Sequence, residues 1–170
     1  YSCEHLQRAG KAHKCVPTVR SVLLKGVMQK SMRHFDKENM LSKIISQANV
    51  DHVEKWFERA DKVVIVTHVS PDGDAIGSSL GLWHFLLSQG KTVHVIVPNA
   101  FPDFLKWMPG AKDIIQYNRY KEFADKLLQE ADVICVLDLN VLSRLDEMQS
   151  AVANSPARKM LVDHHLYPGD

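Results

Sequence analysis

Short apolar runs rich in β-branched residues recur along the chain, and three of them end at an ionisable residue. The run 63–67 leads to His68, the run 133–137 leads to Asp138, and the shorter run 160–162 leads to Asp163. Continuous apolar runs of this length predict strands that are buried on both faces. Because the carboxyl ends of parallel strands share one edge of a sheet, the ionisable residues after these strands are predicted to meet in one crevice.

Apolar residues at helical spacing lie between the predicted strands. They predict one or two amphipathic helices over 41–59, with a break and a new N-cap marked by Asn49 and Asp51. The other predicted elements are strands at 92–97 and 113–115 and helices over 75–88, 119–130 and 142–153. This alternation predicts an α/β fold, a doubly wound, Rossmann-like parallel sheet with helices on both faces.

The helix 75–88 carries two glycines one turn apart, Gly77 and Gly81. We expect them to let this helix lie close to the sheet. They do not form a nucleotide-binding glycine loop, because neither the Gly-Lys-Ser/Thr nor the Gly-x-Gly-x-x-Gly pattern is present.

Two further acidic residues, Asp72 and Asp74, follow His68 in a loop punctuated by Pro71 and Gly73. N-capping of the next helix accounts for Asp74 taken alone, and a turn accounts for Asp72 taken alone. Capping needs only one acidic residue, however. Several carboxylates in one crevice repel each other strongly unless cations are bound between them, so the set predicts a metal site.

The chemistry of the predicted ligands limits the choice of metal. Imidazole and carboxylate groups without a thiolate favour manganese, magnesium, iron or zinc. We expect two divalent cations, Mn²⁺ in the first place and Mg²⁺ as an alternative. Two ions held roughly 3.5–4 Å apart can share one hydroxide and clamp a phosphoryl oxygen, so the predicted reaction is displacement at a phosphate ester.

The same residues carry a resemblance to a known family. The segment 67–79 and the tripeptide 163–165, Asp-His-His, resemble motifs I and III of the DHH phosphoesterase superfamily, and Asp138 stands at the place of motif II. The resemblance covers residues 40–170.

The resemblance implies a role for each site residue. It implies two ligand sets that share one aspartate: His68, Asp72 and Asp138 for one ion, and Asp74, Asp138 and His164 for the other. His165 is expected to face the scissile phosphate. Asp163 is expected to orient the histidines, because a metal-binding imidazole usually needs a partner on its other nitrogen.

Within the superfamily, the run 68–79 is most similar to bacterial oligoribonucleases that also act on 3′-phosphoadenosine 5′-phosphate (pAp). The resemblance implies an exonuclease that hydrolyses short single-stranded RNA to mononucleotides, and pAp to AMP. A cyclic-dinucleotide phosphodiesterase or a family II-type pyrophosphatase would use the same ligands, although the segment 77–81 fits the oligoribonuclease pattern better. A non-catalytic nucleotide-binding domain and a homodimer are left open.

Family members carry a further metal-binding aspartate and a DHHA1 domain downstream of the Asp-His-His motif. We therefore expect residues 40–170 to be the N-terminal portion of a DHH domain, truncated before its last metal ligand and the DHHA1 domain. By itself this portion is expected to have little activity, and substrate choice is expected to depend on the downstream part.

Charge is distributed unevenly along the 170-residue chain, whose net charge is only +1. Residues 1–39 are rich in Lys and Arg and show no helical or alternating pattern. They resemble a basic arm for nucleic acid, but they lack interleaved aromatic residues, so we interpret them as a leader outside the fold. No Cys-x-x-Cys pair is present, and Cys135 is predicted to be a buried strand residue.

Several other features are predicted to be structural. His52, His84 and His94 are interpreted as ordinary structural or surface residues. The apolar segment 101–108 is expected beside the crevice, where it could stack a base, but packing is the use that we predict for Trp107. The apolar stretch 19–27 is too short to span a bilayer, which needs about 20 apolar residues, so a soluble cytoplasmic protein is expected.

Overall fold

The computed structural model describes residues 46–165, and the basic segment 1–39 and the run 41–45 lie outside this range. The helices are α1 (Gln47–Arg59), α2 (Gly73–Ser88), α3 (Lys121–Glu130) and α4 (Gln149–Asn154). The strands are β1 (Lys62–Val66), β2 (Thr92–Val97), β3 (Ile115–Gln116), β4 (Val133–Leu137) and β5 (Arg158–Val162). Short 3-10 helices occupy Asp103–Leu105, Ala111–Asp113 and Leu142–Met148.

The five strands form one parallel sheet in the order β3-β2-β1-β4-β5. The chain winds outward from β1 to β3, returns to the other side of β1 at β4, and ends at β5. The predicted doubly wound parallel sheet is therefore confirmed. The winding direction reverses between β1 and β4, and in folds of this kind the crevice beyond the carboxyl ends of such a pair is the usual ligand site.

Alternate residues of β1 point to opposite faces of the sheet, and each face has its own apolar core. Val63 and Ile65 pack with the apolar residues of α1 and α2. Val64 and Val66 pack in the second core, with residues of α3 and α4 such as Leu128. A strand covered on both faces needs apolar side chains at every position, which explains the continuous apolar runs in the sequence.

The predicted break in the first helix is wrong. Ser46 is the N-cap of α1 and its side chain accepts a hydrogen bond from the N–H of Asn49, so Asn49 and Asp51 lie inside one helix. Val50, Val53 and Phe57 are the buried residues of α1, and their helical spacing continues past Asp51 without a break.

The predicted helix over 142–153 is also wrong as a single element. Leu142–Met148 forms 3-10 turns, and α4 begins only at Gln149. Within the 3-10 segment Asp146 has a φ of 53°, in the left-handed region. One such residue cannot be accommodated in a continuous right-handed helix, so the apolar pattern here buries Leu145 and Met148 without a regular helix.

Three smaller predictions also need correction. Gly81 is exposed, and a Cβ atom at Gly77 would lie 3.8 Å from Met108 Cε, so neither glycine serves contact between helix and sheet. Trp107 is 78% exposed and does not pack in the core, whereas Phe101 and Leu105 are the buried residues of that segment. The short strand lies at Ile115–Gln116, after a 3-10 turn at Ala111–Asp113.

Two findings bear on Cys135 and on membranes. Cys135 is fully buried in β4, as predicted, and burial raises the pKa of its thiol. Among residues 46–165, no helix is both long enough and apolar enough to cross a bilayer.

Candidate metal centre

Three strand ends deliver ionisable residues to one edge of the sheet. His68 follows β1 after a single buried residue, Thr67, while Asp138 follows β4 directly and Asp163 follows β5 directly. His68 is only 5% exposed and Asp138 only 8%. The predicted convergence of β1, β4 and β5 at one crevice is what the fold produces.

The first turn of α2 adds two more carboxylates. Asp72 is the N-cap, and its Oδ1 accepts hydrogen bonds from the N–H groups of Asp74 at 3.0 Å and Ala75 at 3.1 Å. The interpretation of Asp74 as the cap is therefore wrong, because Asp74 is the second residue of the helix. The N–H of Ala75 is the main cause that lowers the pKa of Asp72, so this carboxyl group is held as a carboxylate.

The donor atoms form two groups that share one residue. His68, Asp72 and Asp138 form one group, and Asp138, His164 and His165 form the other, with the donor atoms of each group within 4.8 Å of one another. His164 Nε2 lies 3.2 Å from Asp138 Oδ1 and 3.2 Å from Asp74 Oδ2. His68 Nε2 lies 3.6 Å from Asp138 Oδ2. The two oxygens of Asp138 thus face different imidazoles.

Asp138 occupies an unfavourable place for a carboxylate without a cation. Its φ is 58°, in the left-handed region, and its N–H donates to the carbonyl of Val162, which ties the residue to β5. Burial is the main cause that raises the pKa of Asp138, and the charge of Asp74 adds to it, while His68 opposes it. A positive φ and a buried carboxylate facing other carboxylates are typical of functional sites, and bound cations would relieve the repulsion.

The histidine rings are held by their second nitrogen atoms. His68 Nδ1 lies 2.8 Å from the carbonyl of Val69, which accepts a hydrogen bond only if Nδ1 carries the proton. Nε2 of His68 then presents its lone pair to the crevice, the form that binds a metal. Asp163 holds His165 in the same way, with Asp163 Oδ1 at 2.6 Å from His165 Nδ1.

This set of donors fits divalent cations. Carboxylate oxygens and imidazole nitrogens supply every donor atom, and a shared carboxylate is the expected bridge between two ions. Asp74, expected in the second ligand set, is not a member of the second donor group, but its Oδ2 lies 3.2 Å from Nε2 of His164, which is. His165 stands among the possible donors, so its expected role at the scissile phosphate stays a prediction.

Comparison with known proteins identifies the family. Residues 62–170 match the model of the DHH family, N-terminal domain. The chain belongs to the DHH family. The two donor groups described above therefore lie within the part of the chain that matches the DHH domain.

Two relatives of this DHH chain are named bifunctional oligoribonuclease and PAP phosphatase NrnA. The one from Thermus thermophilus is 33% identical over 106 residues, which are 61% of this chain and 28% of the relative. The one from Mycoplasma genitalium is 27% identical over 109 residues, 64% of this chain and 32% of the relative.

A solved structure is more similar. It is a crystal structure of an exopolyphosphatase-related protein from Bacteroides fragilis, with a TM-score of 0.74 and 73% sequence identity. The match covers 76% of this chain and 38% of that chain. The chain thus spans about a third of the length of each of these three proteins.

Two residues that position the DHH site were not found by sequence reasoning. Asn99 Oδ1 accepts from the N–H of Ser70 at 2.7 Å, and Ser70 has a φ of 54°. The carbonyl of Arg144 accepts from the N–H of Val69 at 2.7 Å. Asn99 could have been found, because it stands just beyond the carboxyl end of β2. Arg144 lies in the irregular segment before α4, where the sequence pattern gives no signal.

The remaining histidines of the described chain lie away from the donor groups. His84 Nε2 is 3.0 Å from the carbonyl of Pro109, His94 is partly buried in β2, and His52 is exposed on α1. Their placement agrees with the structural interpretation made from the sequence.

Proposed function

We propose that the protein to which this chain belongs is a phosphoesterase that works with two divalent cations, Mn²⁺ in the first place. Its proposed substrates are short single-stranded oligoribonucleotides, hydrolysed to mononucleotides, and pAp, hydrolysed to AMP. The observation that carries the proposal is the sharing of buried Asp138 by two donor groups. The names of the two curated relatives support the choice of substrates.

The ligand assignment is the one that the family resemblance implies; the distances group His68, Asp72 and Asp138, but they place His165 rather than Asp74 with Asp138 and His164. His68, Asp72 and Asp138 would hold one ion, while Asp74, Asp138 and His164 would hold the other. Cations bound there supply positive charge that polarises a phosphoryl group and an attacking water. Because Asp138 is buried and fixed to β5 through its N–H, it would keep the two ligand sets at a constant separation.

The chain's other residues prepare the site for a phosphate ester. The Asp163 carboxylate accepts a hydrogen bond from Nδ1 of His165 and fixes the orientation of this ring, and Nε2 would donate towards a substrate oxygen when it carries a proton as well. A hydrogen-bond donor aimed at a developing negative charge lowers the barrier to displacement. We therefore assign His165 to the phosphate and Asp163 to the orientation of His165.

The test uses the full-length protein freed of metal and then loaded with Mn²⁺. Hydrolysis of a two-nucleotide RNA and of pAp is measured for the wild type, Asp138→Asn and Asp146→Asn. Asp146 is a matched control, because it is also an aspartate with a positive φ, 53° against 58°, but it is exposed and belongs to neither donor group. Asn occurs at positive φ as Asp does, so the main change at both positions is the loss of the charge.

We expect Asp138→Asn to lose at least 10³-fold in rate, a barrier change of about 4 kcal/mol, while Asp146→Asn stays near wild type. Activity of Asp138→Asn within tenfold of wild type would contradict the two-cation site. A second candidate is a phosphoanhydride substrate, which the name of the Bacteroides fragilis protein suggests. Pyrophosphate and tripolyphosphate assayed beside RNA, pAp and a cyclic dinucleotide decide between these substrate classes.

A further inference from the structure

The segment from Pro102 to Met108 forms consecutive tight turns that arrange its side chains in three rows. Backbone hydrogen bonds join Pro102 to Leu105, Asp103 to Lys106, and Leu105 to Met108, each across three residues. Residues three apart in such turns lie above one another. The ion pair of 2.6 Å between Asp103 and Lys106 shows one of these rows directly.

A second row, Leu105 and Met108, attaches the segment to the start of α2. A Cβ atom placed on Gly73 would lie 3.9 Å from Leu105 Cδ2, and one on Gly77 would lie 3.8 Å from Met108 Cε. Gly73 stands between Asp72 and Asp74. The segment therefore lies against the same helical turn that carries two of the candidate metal ligands.

The third row consists of two aromatic rings in water. Phe104 is 71% exposed and Trp107 is 78% exposed, the highest values for large apolar side chains in residues 46–165. Exposing such rings is unfavourable, and the buried row next to them shows that the segment has an apolar side for packing. Two exposed rings on a segment that contacts the first turns of α2 are typical of a binding surface.

We propose that Phe104 and Trp107 form a stacking surface for the nucleobases of the substrate, a role that rests on the proposed function. Aromatic side chains bind single-stranded nucleic acid by stacking on bases whatever their sequence. The charged row favours a nucleotide over a docked protein domain, because a broad interface here would also bury Asp103 and Lys106. A base covers one ring face and leaves the ion pair in water.

The first test separates binding from chemistry in the full-length protein. Phe104→Ala, Trp107→Ala and the double variant are compared with Phe123→Ala. Phe123 is a suitable control because it is also exposed but belongs to α3, which packs on the opposite face of the sheet. We expect KM for a two-nucleotide RNA to rise roughly 5- to 100-fold in the double variant, with kcat within about twofold.

Trp107→Phe should keep most of the affinity for the dinucleotide that Trp107→Ala loses, and the number of bound Mn²⁺ ions should not change in any of these variants. Unchanged KM for the dinucleotide in the double variant would overturn the proposal. So would a loss of bound Mn²⁺, because that result would indicate a disturbed metal centre.

The second test measures binding without catalysis. It can therefore contradict the stacking proposal without contradicting the proposed function, and the reverse. The dinucleotide is titrated into the metal-free protein while tryptophan emission is recorded for the wild type and Trp107→Phe. Saturable quenching in the wild type that is absent in Trp107→Phe supports stacking, even if no hydrolysis is found. If acrylamide cannot reach Trp107 in the nucleotide-free full-length protein, the surface is covered by another part of the protein and the proposal fails.

Discussion

His164 and His165 are adjacent in sequence, but their ring nitrogens have different partners. His164 Nε2 lies 3.2 Å from carboxylate oxygens of both Asp74 and Asp138, whereas His165 Nδ1 is bound to Asp163 at 2.6 Å. The two rings are 5.0 Å apart, so neighbouring residues reach different partners. This division supports the proposed metal-binding role for His164 and the proposed substrate role for His165.

The first prediction compares His164→Ala with His165→Ala in the full-length protein. His164→Ala should reduce the number of bound Mn²⁺ ions, because it removes a donor between two carboxylates. His165→Ala should retain the ions and lose about 10²–10³ in rate, as removal of a transition-state donor does elsewhere. Metal is counted by elemental analysis and the rate is measured on pAp. Loss of metal from His165→Ala would show that it is a ligand.

A second prediction concerns His94, which is away from the metal centre. Burial lowers the pKa of His94 from its ordinary value of 6.5. In acid the unfolded chain therefore takes up a proton before the folded chain does, so His94 lowers stability as the pH falls through about 6.5. The urea midpoint should fall less for His94→Gln than for wild type between about pH 7.5 and about pH 5.5. An equal fall in both proteins would contradict this assignment.

At the scale of elements, the site depends on how the loop after β2 packs on α2. Gly110 has a φ of 87°, and a Cβ atom there would lie 2.6 Å from Trp83 Cζ3. Trp83 is itself fixed, because its Nε1–H donates to the carbonyl of Val93 at 3.1 Å. Glycine at this position therefore permits both the turn and the close approach to α2.

The third prediction is that Gly110→Ala destabilises the chain more than Gly90→Ala. Gly90 has a similar φ of 77° but has no neighbour within 4 Å of an added Cβ atom, so it controls for backbone strain. We expect about 1 kcal/mol for Gly90→Ala and about 1–3 kcal/mol more for Gly110→Ala, the usual cost of overpacking. Urea unfolding measures both, and equal losses would mean that Trp83 moves aside freely.

The sequence predicted the elements whose burial follows a simple period. β1 and β4 were found because strands covered on both faces are continuously apolar, and β5 was found from its shorter apolar run 160–162; the ends of these runs indicated His68, Asp138 and Asp163. Asp72 rather than Asp74 is the N-cap because α2 begins at Gly73, two residues before the predicted start, and the apolar pattern does not fix a helix start that closely. Trp107 is exposed because Leu105 and Met108 are the residues of its segment that face α2. The sequence alone does not show which side chains of such turns face the helix.

On the scale of the whole molecule, the candidate ligands join parts that are distant in sequence. His68 follows β1, Asp72 and Asp74 begin α2, Asp138 follows β4, and His164 follows β5. Cations bound to this set would connect the three strands across the point where the winding of the sheet reverses. Metal binding is therefore expected to stabilise the fold as a unit.

The last prediction tests this coupling by thermal unfolding of the chain with and without Mn²⁺. A ligand that binds only the folded state at 100 times its Kd adds about 2.7 kcal/mol, which is several degrees in Tm for a domain of this size. Wild type and the control Asp146→Asn should show this shift. Asp138→Asn should not show it, because both ligand sets lose their shared carboxylate. Without metal, Asp138→Asn should melt at the same temperature as wild type or higher, since a neutral amide removes the repulsion from Asp74 in a buried site. A lower Tm of metal-free Asp138→Asn would mean that the Asp138 carboxylate stabilises the fold itself, contrary to its assignment as a bridge between cations.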